Sequence, residues 1–81
     1  MRLPTERGPL AQARIASGKT QKTVAEESGI ACGHLRRLES GERSICGLSL
    51  SNSVALCKSL GISLDRLLLI AQQQEARNRM P

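Results

Sequence analysis

Eighty-one residues suffice for one domain with one modest core and leave no room for an enzyme cleft beside a second domain. Twelve Lys and Arg against seven Asp and Glu give a formal net charge of +5, which points to an acidic partner, nucleic acid first among them. Aromatic content is 0%, so the stacking platforms of single-stranded nucleic-acid modules are missing and duplex binding through grooves and phosphates is favoured.

Residues 1–8 read as a flexible N-terminal arm in which Arg2 and Arg7 could follow a phosphate backbone; a plain disordered tail is the equal alternative. Pro9 suits the first turn of a helix, where its missing N–H is no loss. That helix is expected to run through Leu10, Ala13 and Ile15 to Ser17, with Gly18 as its terminator. Gln21 to Ser28 and Ala31 to Glu39 then read as two short helices joined by a tight turn at Gly29 and Ile30. Gly29 can take the left-handed conformation without a Cβ clash, and Thr20 is placed to cap the first of the pair. Val24, Ile30, Leu35 and Leu38 supply the inner contacts, with Ala25 small where the helices cross. Neither helix is long enough to be stable alone.

The second of the pair has two faces. Ala31, Leu35 and Leu38 fall at i, i+4, i+7 and form its expected inner stripe. Cys32, Gly33, Arg36, Arg37 and Ser40 fall opposite, with His34 at the flank. Two adjacent arginines aimed outward from a rigid helix form a surface for an anion, and a guanidinium can grip guanine O6 and N7 in a fork.

Glu42 to Leu48 reads as a loop, with Arg43 placed for a phosphate contact directly after the outward-facing helix. Its apolar residues, Ile45 and Cys46, could fold back onto the core or reach a partner subunit. Ser49 or Ser51 can cap a fourth helix ending near Leu60, with Leu50, Val54 and Cys57 expected inside and Gly61 as the stop. Ser63 caps a fifth, with Asp65 near the positive end of its dipole. Leu64, Leu67, Leu68 and Ala71 share one stripe of that helix, while Leu69 and Ile70 spread to others, more apolar surface than one monomer needs. A homodimer interface at Leu64, Leu68, Leu69 and Ile70 is the expected use. The folded domain is thus placed at 9–71 and a polar, fraying tail at 72–81.

From Thr20 to Gly41 the chain resembles the helix-turn-helix of the Cro/C1-type repressor family, small phage, plasmid and bacterial regulators. Gln21, Ala25, Gly29, Ile30, Leu35, Leu38, Glu39 and Gly41 stand at the family's spacings, and the likeness continues through Leu50, Val54 and Leu60 to the GISLDRLL segment at 61–68. The resemblance implies an all-α, five-helix, lambda-repressor-like domain with its helix-turn-helix at 21–39, binding a double-stranded DNA operator. It also implies an ion pair between Arg14 and Glu39, fixing the first helix to the third, and a phosphate at Gln21, where unpaired amides and the helix dipole attract an anion. Lys22 and Arg43 are expected to assist on phosphates.

Base reading is expected from Arg36 and Arg37, with Cys32 and Gly33 close to the groove. Those two small residues depart from the family, which often places long polar readers there, and Gly33 weakens the helix by about 1 kcal/mol relative to Ala. His34 could touch DNA or lie against the second helix.

Cys32, Cys46 and Cys57 with one His form no paired C-x-x-C knuckle, so no metal site and no cofactor are expected. Cys32, one turn from Arg36, could be a redox-sensitive thiol, and Cys57 is expected in the core. No nucleophile has a plausible base and no glycine loop cradles phosphate, so no enzyme, and no small-molecule ligand, is expected. The opening residues carry no apolar leader core and no run reaches membrane length, so a cytoplasmic, nucleoid-associated protein with reduced thiols is expected. The expected function is a homodimeric, sequence-specific transcriptional repressor on a palindromic operator, autoregulatory in the manner of similar proteins. An antitoxin of a toxin–antitoxin pair and a protein-interaction module on the same fold are the alternatives.

Overall fold

The computed structural model describes residues 8–79, with side chains through residue 76, so Arg2 and Arg7 lie outside the described residues. Five α-helices follow one another: α1 (Pro9–Ala16), α2 (Gln21–Ser28), α3 (Cys32–Ser40), α4 (Leu50–Leu60) and α5 (Leu64–Arg79). A single 3-10 turn (Ile45–Gly47) lies between α3 and α4. The described residues contain no strand, and the fold is all-α.

The helix starts follow local chemistry. Thr20 Oγ1 accepts from Thr23 N at 3.2 Å, Ser49 Oγ from Asn52 N at 3.2 Å and Ser63 Oγ from Arg66 N at 3.1 Å, so α2, α4 and α5 each satisfy one orphan amide with a hydroxyl. Gly29 ends α2 at φ 72°, a left-handed conformation that lets the chain reverse into α3 within three residues. At the start of α3, Ala31 provides no side-chain cap and is exposed. The expected inner position for Ala31 is therefore corrected: as the residue before the helix it lies outside the stripe, which Leu35 and Leu38 carry at 1% and 0% exposure.

One continuous core forms where the helices meet. Leu10 from α1, Val24 and Ala25 from α2, Leu56 and Leu60 from α4, and Leu67 and Ile70 from α5 surround Leu35 and Leu38. Ile45 joins them at 5% exposure, so the 3-10 turn folds back and pins the loop after α3 to the core, while Cys46 stays exposed. Cys57 is buried, and burial pushes its thiol pKa up.

Ile15 is exposed at the end of α1. Three expectations about packing are corrected. Leu50, expected to face inward, is 74% exposed, because α4 turns Leu56, Cys57 and Leu60 to the core and leaves Leu50 at its open first turn. Ile70, assigned to a dimer face, is 2% exposed and belongs to the core.

The last correction concerns the polar tail. Residues expected to fray from 72 onward continue α5 as far as Arg79. Gln74 explains part of this extension. Its Nε2 donates to Leu38 O at 2.9 Å and its Oε1 accepts from Leu10 N at 3.3 Å. One buried amide thus serves two helix ends, an orphan N–H in the first turn of α1 and an orphan C=O in the last turn of α3.

Candidate nucleic-acid interface

The backing of α3 determines what its outer face can do. Leu35 and Leu38 hold it against Val24 and Ile30, and Glu39 fastens its end. The Glu39 carboxylate is nearly buried and bridges two elements: Arg14 Nε donates to Oε2 at 2.8 Å and Gln21 Nε2 donates to Oε1 at 3.1 Å. Arg14 also donates from Nη1 to Lys19 O at 3.0 Å, so the link between α1 and α2 is held by the same side chain. A carboxylate and a guanidinium this far from water stabilise the fold only as a pair, and removing one strands the other. Helix α3 is therefore fixed to α1, α2 and α5 before any ligand arrives.

On the opposite side, Cys32, Gly33, His34, Arg36 and Arg37 are all exposed. A Cβ built at Gly33 would meet nothing within 4 Å, so the helix offers a smooth, unobstructed patch there. Arg37 Nε stands 4.0 Å from Glu42 Oε2, with more than half of each side chain in water. That is a long, screened pair of little strength, and it leaves Arg37 available to an anion. The amide of Arg43 donates to Arg37 O at 3.2 Å, which ties the loop to the end of α3 and places the exposed Arg43 beside it.

The start of α2 faces the same side. Cys32 lines a shallow groove together with Arg14, Lys19, Thr20, Gln21 and Lys22, which brings the N-termini of α2 and α3 together. Within that groove Arg14 and Lys19 are committed to Glu39 and Glu27, and Lys22 is the exposed cation. Gln21 stands at the start of α2 in that groove, with one of its side-chain amide hydrogens on Glu39. Leu64, Leu68 and Leu69 are exposed on α5.

Sequence reasoning passed over a second fastening. Lys19 Nζ donates to Glu27 Oε1 at 2.7 Å and to Ser59 O at 2.6 Å, and Ser59 Oγ donates to the same Glu27 oxygen at 2.7 Å. These contacts clamp α2 to the end of α4 and hold the Glu27 carboxyl below the usual carboxylate range, chiefly through the Lys19 hydrogen bond and then that of Ser59. Ser59 lies 32 residues from Glu27, so no local spacing announces the contact.

Among the described residues no three His, Cys, Asp or Glu side chains gather where they could hold a metal ion, and no helix is long and apolar enough to cross a membrane. The sequence model of a family described as helix-turn-helix matches residues 10–67, from α1 into the first turn of α5. No curated protein and no solved structure matches the chain.

Proposed function

Because the chain belongs to the Cro/C1-type helix-turn-helix family, whose members are DNA-binding transcription regulators, we propose that it is a sequence-specific repressor occupying a palindromic operator as a homodimer. The observation that carries this reading is the outer face of α3: two exposed arginines on a helix locked from behind by Leu35, Leu38 and Glu39. Such a helix can enter the major groove without rearranging, and Arg36 and Arg37 would read base edges there. The small pair Cys32–Gly33 would allow close approach, with the Cys32 thiol against a thymine methyl and His34 at the flank.

Phosphates would position the domain. Lys22 at the start of α2 and Arg43 after α3 flank the reading helix on either side, and Gln21 keeps a second amide hydrogen for an anion. Two protomers, joined through the exposed leucines of α5, would read two half-sites about one helical turn apart. Repression needs nothing more, since a bound dimer excludes polymerase from the promoter. The protein would act in the cytoplasm on nucleoid DNA, its own promoter included.

Selection of bound duplexes from a random pool, at near-physiological salt, tests the reading. Enrichment of a two-fold symmetric sequence is the expected outcome. Binding that disappears with modest salt and enriches no sequence would leave only the non-specific electrostatic term and sink the proposal.

A further inference from the structure

Leu50 is the most exposed large apolar side chain among the described residues, at 74%. It stands on a ridge between two apolar grooves. One, of about 300 Å³, runs between the 3-10 turn and α5, lined by Ile45, Leu48, Leu64 and Leu68 and edged by Asp65. The other lies on the outer face of α4, lined by Val54 and Ala55 and edged by Lys58. Leu50 belongs to the lining of both.

We propose that this face receives a second copy of the chain, with Leu50 of each protomer seated in the α5 groove of the other. The inference rests on the homodimer of the proposed function and moves its centre from α5 to the ridge that opens α4. A two-fold interface requires one patch to carry both the protruding and the receiving part, and here the ridge and the groove adjoin. The charges obey the same symmetry. Asp65 edges one groove and Lys58 the other, and neither makes an ion pair among the described residues. An axis passing near Leu50 exchanges the two ends of the patch, so Asp65 of one copy comes opposite Lys58 of the other. A second copy therefore supplies complementarity in both shape and charge. Leu69 lines neither groove, so this surface does not include it.

Sedimentation equilibrium of the full chain, with duplex binding measured in parallel, tests the interface. Leu50→Glu is the central variant, because an acidic residue at the first position of a helix suits its dipole and leaves the monomer fold intact. It is expected to weaken dimerisation by roughly 30-fold or more, as loss of a central anchor does. Lys58→Glu and Asp65→Lys should each weaken the dimer about fivefold, and the two together should restore it, an outcome that damage to either helix cannot produce. A strictly monomeric chain, a dimer indifferent to Leu50→Glu, or a double exchange that fails to restore overturns this interface. The repressor reading fails separately, if the dimer forms through Leu50 and yet selects no DNA sequence.

Discussion

Gln74 is one side chain whose removal exposes two debts at once. With it gone, Leu10 N–H and Leu38 C=O lose their buried partner, and each unsatisfied group costs about 1–3 kcal/mol. Gln74→Ala is therefore expected to lower unfolding free energy by roughly 2–4 kcal/mol in a urea titration, where a change under about 0.5 kcal/mol would mean that water replaces the amide. The arginines of the outer face separate by role. Arg37→Ala should cost roughly 1–3 kcal/mol on the selected operator and relax its sequence preference, whereas Arg43→Ala should weaken operator and random duplex alike. If Arg37→Ala lowered both equally, its place at the base edges would be lost. Glu39 shows how far residue reading extends: its partner Arg14 follows from the family likeness, but the second partner, Gln21, emerges only from the packed geometry of α2 against α3.

Elements are held to one another by polar clamps as much as by the core. Lys19, Glu27 and Ser59 join the linker before α2, α2 itself and α4 through one carboxylate oxygen. Because Glu27 titrates lower in the folded chain than in the unfolded one, the clamp stabilises the fold fully at neutral pH. That contribution disappears as pH falls through the depressed folded value, when the carboxyl is protonated. Glu27→Gln should accordingly show a flatter loss of stability on acidification than the parent chain, read from thermal melts across the acid range. Parallel curves for the two would show that the clamp contributes nothing. The helix boundaries were legible because they are local: Thr20, Gly29, Gly61 and Ser63 signal starts and stops through their own side chains or φ angles. The facing of α4 was not, since Leu50, Val54 and Cys57 form as good a stripe on paper as Leu56 and Leu60 do in the structure.

At the scale of the molecule, a chain this small depends on every element that closes its core. Ending the chain after Ala71, where the sequence pattern turns polar, is expected to leave a domain that melts well below the full chain, because α1 and α3 lose their common tie to α5. Equal melting temperatures would return 72–79 to the status of a tail. The net charge of +5 belongs to this scale too, since it sets attraction to any duplex before the face of α3 selects one. Amino-acid order by itself determined the all-α class, the five helices, the turn at Gly29 and the outward arginines, all of which depend on helical period, capping and chirality within a few residues. Tertiary structure alone decided that Leu50 stands in water, that Ile70 is core and that Gln74 is buried. It also decided that Lys19 reaches Ser59. Those outcomes depend on which of several apolar stripes wins the shared interior and on polar partners up to 64 residues apart, neither of which leaves a mark in local spacing.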